Sequence, residues 1–271
     1  MITYILDNMV HLSHVVSAVR ACNPLVLHIT NTVTINDCAN ISLCFGASPV
    51  MSDELEDAVE LMEKSQALLL NTGTLSEDQS DIMWGVAEQA MRQEKPIILD
   101  PVGIGSSRMR TNFVEDVIDE FDISVIKGNA SEINRLAGAE VTAHGVDSLG
   151  DIDVERMIDF AEMSRITVVA SGKVDLITDG HRLFSVSNGV PEMGMISGTG
   201  CMAGSCIAAA CAVERPVEAA AAALAALGIA GERAVARSAG PGTFKPAFFD
   251  EVALMTPEIF EESVCIEEVE L

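Results

Sequence analysis

Aromatic residues are scarce in this chain of 271 residues: one Trp, one Tyr and nine Phe, 4% of the total. An apolar content of 49% must therefore be built from Ala, Val, Ile, Leu and Met, and a core of such residues packs through aliphatic interdigitation. Positive charge is equally sparse. Sixteen Lys and Arg stand against 41 Asp and Glu, a formal net charge of -25. That excess repels nucleic acid and anionic membranes, so neither is an expected partner. It suits raised intracellular salt, which screens repulsion between surface carboxylates. No apolar run reaches the roughly 18 residues a membrane span needs. The Ala-rich stretch from Glu218 to Ala236 comes nearest, and Glu218, Glu232 and Arg233 interrupt it. Residues 1–10 lack a basic segment followed by an apolar run, so no signal peptide is expected and the cytoplasm is the expected compartment. The seven cysteines form no CxxC pair and are odd in number, which argues against a disulfide framework or a zinc site.

What is present is an alternation of short apolar runs with longer amphipathic ones. The spacing predicts strands over Leu25–Ile29, Ala67–Leu70, Pro96–Leu99, Ile123–Ile126, Ile166–Ala170, Asp175–Thr178 and Leu183–Val186. Helices are predicted over Ile35–Phe45, Glu54–Lys64, Ser76–Gln93, Arg110–Glu120, Ser131–Ala137, Ile152–Ser164, Met202–Val213, Val217–Ser238 and Pro246–Phe260. This order implies one α/β domain over residues 1–271. Helices would cover both faces of a mostly parallel sheet, and the last two strands would form a hairpin around Asp179-Gly180 at one edge. His11 and His14 lie i, i+3 on a further helix with no carboxylate or cysteine nearby in sequence, a poor metal pair.

Open α/β sheets bind ligands beyond the carboxyl ends of their strands. Here those ends read Thr30-Asn31-Thr32-Val33-Thr34, Asn71-Thr72-Gly73-Thr74, Asp100-Pro101-Val102-Gly103, Lys127-Gly128-Asn129-Ala130-Ser131-Glu132 and Ser171-Gly172-Lys173-Val174-Asp175. Gly-rich polar ends recurring on one rim point to a ligand site. The segment Ser197-Gly198-Thr199-Gly200-Cys201 opens into an Ala-rich helix. Such a turn offers free N–H groups and the positive end of a helix dipole to an anion. Cys201 falls in the first helical turn, where it either packs as a small apolar side chain or serves as a polarised acceptor. Asp100 either forms a turn before Pro101 or holds Mg²⁺ beside a polyphosphate. Glu132 either closes a capping box with Asn129 or supplies a second carboxylate. Lys127 either is a solvated lysine at a strand end or points a cation at a phosphate, and Ser171 either belongs to a small turn with Gly172 or offers its hydroxyl to a nucleotide phosphate.

These segments together resemble the hydroxyethylthiazole kinase family of the ribokinase-like superfamily. The resemblance rests on His28-Ile29-Thr30-Asn31 with Val33-Thr34, Asn40 followed by Gly46–Met51, Asn71–Leu75, Leu99–Gly103, Lys127–Ile133, Gly145-Val146-Asp147-Ser148 and Gly198–Cys201. Cys201 stands where other ribokinase-like kinases usually place Asp. The acidic tail from Glu261 is not covered. The resemblance implies a ribokinase-like three-layer α/β/α sandwich. It implies phosphorylation of 4-methyl-5-(2-hydroxyethyl)thiazole by ATP with Mg²⁺, for thiamine biosynthesis or salvage. It also implies a homotrimer with active sites between subunits. Asn31, Val33 and Met51 would line the thiazole pocket, with Gly198 near the hydroxyethyl end. Lys127, Asn129 and Ser171 would bind ATP, Asp100 and Glu132 would hold Mg²⁺, and Gly198, Thr199, Gly200 and Cys201 would form the catalytic loop. Lys127 and Ser171 stand where Arg and Thr are commoner in the family, and Lys lacks the bidentate fork of Arg. The rival readings are an ATP- or ADP-dependent hydrate dehydratase on the same fold and a kinase for the pyrimidine alcohol of the same pathway.

Overall fold

The computed structural model describes residues 2–139 and 152–271. The matching segment Gly145-Val146-Asp147-Ser148 and the first residue of the chain lie outside them.

A nine-stranded sheet runs through the molecule in the order β2-β1-β3-β4-β5-β6-β7-β8-β9. Its strands are β1 (Leu25–Ile29), β2 (Ser48–Met51), β3 (Ala67–Asn71), β4 (Ile97–Asp100), β5 (Val125–Asn129), β6 (Thr167–Ser171), β7 (Asp175–Thr178), β8 (Arg182–Val186) and β9 (Ile266–Glu270). From β2 to β6 neighbouring strands are parallel, and from β6 to β9 they are antiparallel. The central strands are buried on both faces, as their continuous apolar sequences require.

Alternate residues divide between two cores. Leu69, Ile98, Val125 and Val169 face one cluster, while Leu68, Leu70, Leu99, Ile126 and Val168 face the other. The first cluster is closed by α1 (Ile2–Cys22), α2 (Ile35–Phe45), α8 (Thr199–Cys211), α9 (Pro216–Val235), α10 (Pro241–Ala253) and α11 (Pro257–Ser263). The second is closed by α3 (Leu55–Lys64), α4 (Glu77–Arg92), α5 (Arg108–Glu120), α6 (Ala130–Leu136) and α7 (Val154–Ser164). The result is the three-layer α/β/α sandwich that the strand and helix order implied.

The Ala-rich α9 is buried from Val217 to Gly231, so its small side chains pack inside this chain. A Cβ at Gly228 would lie 2.5 Å from the carbonyl oxygen of Asn188, and one at Gly231 would lie 2.7 Å from Met193 Sδ. Those two glycines let the segment leading to α8 lie directly on α9.

Several boundaries depart from the sequence reading. β2 was not predicted; it is short and carries Pro49, which an edge strand tolerates. The helix expected over Pro246–Phe260 is two helices. Pro246 lies inside α10, and Thr256 starts α11 by accepting the Ile259 N–H ahead of Pro257. The tail from Glu261 is not a loose appendage: its Ile266–Glu270 forms β9, the far edge strand. Strands β3 to β6 run past their expected ends, so Asn71, Asp100, Asn129 and Ser171 are the last residues of strands.

Candidate active site

The rim predicted from the strand ends exists, and α8 begins over it. Gly198 caps α8 in the left-handed region at φ 92°, and a Cβ there would sit 2.7 Å from Thr34 Cγ2. Only glycine meets both demands without displacing Thr34. Thr199 Oγ1 donates to the Met193 carbonyl at 3.0 Å, which ties the turn to the preceding 3₁₀ segment Pro191–Met195. The first-turn amides of α8 have no carbonyl one turn earlier to bond, so they present N–H groups outward. A Cβ at Gly200 would lie 3.1 Å from Lys127 Nζ. The lysine ammonium and the Gly-rich turn therefore converge on the same space, the pairing of charge and amide dipoles that a phosphate needs.

Cys201 Sγ accepts hydrogen bonds from Asn31 Nδ2 and Asn71 Nδ2, each at 3.3 Å. Asn31 Oδ1 is fully engaged by Val33 N–H, Thr34 N–H and Thr34 Oγ1, all at 3.1 Å. The Asn31 side chain is thus held by contacts within the protein. Val33 is 69% exposed, and Met51 is half-buried on the edge strand β2.

Asp100 is buried at the end of β4. Its Oδ2 accepts the Asn71 amide at 2.7 Å, whereas its Oδ1 has no hydrogen-bond partner among the described residues and lies 3.7 Å from Lys127 Nζ. Burial and the neighbouring Glu132 charge push the Asp100 carboxyl upward against the pull of Lys127 and Asn71. Lys127, also buried, stays firmly charged, because the field of Asp100, Glu132, Cys201 and Asp175 outweighs its own desolvation. Asp175, pushed up to about 6 by burial, accepts the Gly172 N–H at 2.9 Å and so braces the turn after β6.

Glu132 meets its helix-capping reading and also ties α6 to the loop after β4. It closes the capping box of α6, with Oε2 accepting Asn129 N–H at 2.8 Å and Asn129 Oδ1 accepting Glu132 N–H at 3.0 Å. Its Oε1 accepts Gly103 N–H at 2.9 Å from the loop after β4. Each oxygen keeps a free lone pair. The Asn129 side chain is the helix cap, and Ser171 Oγ donates to the Gly128 carbonyl at 3.1 Å across the β5–β6 pair. Asn129 and Ser171 stand opposite one another in register at the rim.

A Mg²⁺ ion fits these residues. The unpartnered Asp100 Oδ1 is a buried carboxylate oxygen with open valence, and Mg²⁺ commonly takes one or two carboxylates alongside nucleotide phosphates. No cluster of three or more His, Cys, Asp or Glu suited to a metal occurs among the described residues, the rim included, so the protein would supply at most two carboxylates to such an ion. His11 instead faces Glu214, with Nε2 3.1 Å from Oε2. A cavity of about 780 Å³ opens near the amino ends of β5 and β6, lined in part by Asp119, Arg182, Arg215 and Glu218, and it shares no residue with the rim.

One site side chain went unassigned in the sequence reading. Asn71, which the sequence places in a rim segment with no role of its own, touches both Cys201 and Asp100. The available signal was a carboxamide ending a fully apolar strand, where a buried polar group must find partners.

The sequence profile of the hydroxyethylthiazole kinase family matches residues 16–258. The chain belongs to this family. A hydroxyethylthiazole kinase of Methanocorpusculum labreanum is 49% identical over 259 residues, covering 94% of this chain and 98% of that one. The structure of a hydroxyethylthiazole kinase from Pyrococcus horikoshii OT3 superposes with a TM-score of 0.89 at 34% identity, covering 96% of this chain and 99% of that chain. A ribokinase-like superfamily protein from Enterococcus faecalis, 16% identical, superposes with a TM-score of 0.63 over 86% of this chain and 87% of its own; that likeness concerns the fold. As a member of the hydroxyethylthiazole kinase family the chain is a kinase, with ATP as co-substrate and a ribokinase-like fold. No helix among the described residues is long and apolar enough to cross a membrane.

Proposed function

We propose that this single kinase domain transfers the γ-phosphoryl group of ATP to the hydroxyl of 4-methyl-5-(2-hydroxyethyl)thiazole. The product is the thiazole phosphate used in thiamine biosynthesis or salvage, and ATP and the absence of a spanning helix fit a cytoplasmic setting. The observation that carries the reading is the convergence of Lys127 Nζ, the Gly198–Cys201 turn and the doubly bonded Cys201 sulfur at one point of the rim.

Phosphoryl transfer depends chiefly on positioning and charge stabilisation. The alcohol oxygen forms a bond to the γ-phosphorus, the bond from that phosphorus to the β–γ bridging oxygen breaks, and ADP leaves with the electron pair. The first-turn amides of α8 and the Lys127 ammonium stabilise the charge on the transferring group. Cys201 acts in this step as its thiolate, to which Asn31 and Asn71 donate N–H bonds; it receives the alcohol proton and becomes the thiol. Asn129 and Ser171 border the nucleotide, and Val33 and Met51 border the thiazole. Asp100 and Glu132 would hold Mg²⁺, which would supply charge neutralisation to the phosphate oxygens.

The active unit is a homotrimer in this reading, with each thiazole pocket completed by a second subunit. The exposed Val33 and the edge position of Met51 support that view, because one chain leaves this wall open to solvent.

A coupled assay with ATP, Mg²⁺ and either the thiazole alcohol or the pyrimidine alcohol tests the reading. Thiazole phosphate detected by mass spectrometry, with the thiazole alcohol preferred, is the expected result. Turnover of the pyrimidine alcohol alone, or repair of hydrated NADH without alcohol phosphorylation, would replace it with one of the rival enzymes.

A further inference from the structure

Asn71 is wholly buried, and its carboxamide uses all four of its hydrogen-bonding capacities. Oδ1 accepts Asn31 Nδ2 at 2.9 Å and Gly73 N–H at 3.0 Å. Nδ2 donates one hydrogen to Asp100 Oδ2 at 2.7 Å and the other to Cys201 Sγ at 3.3 Å. The orientation of the amide is dictated by its neighbours: Gly73 N–H needs an acceptor, and the Asp100 carboxylate needs a donor. The same logic orients Asn31, whose oxygen meets three donors and whose nitrogen must therefore face Asn71 and Cys201. One planar group thus bridges the carboxylate on the phosphate side of the rim and the sulfur on the alcohol side.

We propose that Asn71 is the positioning residue of the phosphoryl transfer, its two amide hydrogens holding the Asp100 carboxylate and the Cys201 sulfur in fixed register. Two N–H donors on one sulfur make that sulfur an acceptor, the polarity a proton-receiving group needs. They also fix its distance from the carboxylate in a network whose members are locked by one another. The inference rests on the kinase reading above and adds to it the group that aligns the two halves of the site. Asn71 touches neither nucleotide nor alcohol in this account, so its effect passes through Cys201 and Asp100.

The test is a double-mutant cycle with a binding measurement beside it. Asn71→Asp keeps an oxygen for Asn31 and Gly73 while removing both donors, and Asn71→Ala removes the whole carboxamide. Each is expected to lower kcat by about 100-fold while KM and the calorimetric dissociation constant for the thiazole alcohol change little. In a Cys201→Ala background the same Asn71 substitutions should cost at least about tenfold less, because the group they act through is gone. An equal fold-loss in both backgrounds, or a loss confined to KM, would overturn the proposal. So would unfolding of both Asn71 variants below the assay temperature, which would make Asn71 a residue of the fold alone. An inactive wild-type chain fails earlier and overturns the kinase reading itself, which separates the two failures.

Discussion

Lys127 Nζ stands 3.7 Å from Asp100 Oδ1, and both side chains are buried at the rim of the sheet. The lysine does not satisfy the carboxylate: that oxygen has no hydrogen-bond partner among the described residues, and burial still drives the Asp100 carboxyl upward. A buried ion pair whose facing carboxylate oxygen accepts no hydrogen bond is a weak source of stability, although Asn71 satisfies the other oxygen. The arrangement is poised to receive positive charge and phosphate together.

Mg²⁺ should therefore stabilise the fold through Asp100. With ADP present, adding Mg²⁺ is expected to raise the melting temperature of the wild-type chain by about 2–6 °C. Asp100→Asn should abolish most of that shift and lower turnover severely. An identical shift in the two proteins, followed by differential scanning calorimetry, would remove Asp100 from the metal site.

Replacing the sulfur should slow the reaction without stopping it. Cys201→Ala is expected to lower kcat by about 10²–10⁴-fold, the usual worth of a general base, while amides and Lys127 continue to act. Cys201→Asp should outperform the alanine variant, since it offers an oxygen acceptor to the same Asn31 and Asn71 donors. A raised KM with unchanged kcat in the alanine variant, together with a folded but inactive aspartate variant, would assign Cys201 to packing.

Gly198 allows a sharp test of the anion turn. At φ 92° an alanine is strained, and its methyl would meet Thr34 Cγ2 at 2.7 Å. Gly198→Ala should destabilise the chain by about 1–3 kcal/mol and lower kcat at least about tenfold as the α8 amides shift. Wild-type kcat/KM in a purified, folded variant would show that the turn has no part in the chemistry.

His28 should make the protein sensitive to mild acid. Its ring is buried on β1, and burial lowers its pKa from 6.5 to about 4 despite bonds to the Val26 and Val50 carbonyls. Between those values the unfolded chain binds a proton that the native state does not, so stability falls as pH drops from 6.5 toward 4. The full loss is on the order of 3 kcal/mol. In urea titrations across that range, His28→Gln should flatten the stability slope by up to about 1.4 kcal/mol per pH unit. Parallel slopes for the two proteins would refute it.

The open wall at Val33 and Met51 should close by assembly. Light scattering is expected to give a trimer, and dilution should cut activity as the trimer dissociates. A monomer with full activity at about nanomolar concentration, below the range of weak association, would show that the site needs no second subunit.

Much of this architecture was legible because period and burial are local properties. Leu25–Ile29, Asp175–Thr178 and Ile35–Phe45 have the predicted bounds, since each is an apolar or amphipathic run ended by a polar or turn residue. β2 and β9 were invisible for a different reason. Their residues are half-buried or acidic, and only the neighbouring strand makes them strands. The rim residues could be found from the strand ends alone. The Asn31–Asn71–Cys201 contacts could not, because the residues are 40, 130 and 170 positions apart and no spacing encodes how a carboxamide is turned.

The edge strand β9 has a consequence for colloidal behaviour. Glu267 and Glu268 lie on β9, the last strand of the sheet, whose only strand neighbour among the described residues is β8. At neutral pH their charge discourages a second sheet from docking edge to edge, as charged edge strands do. Acidification into the carboxylate range removes that repulsion from the strand and from the chain's net charge of -25 together. Low pH is thus the condition under which lateral sheet-to-sheet growth, and precipitation with it, should begin at this edge.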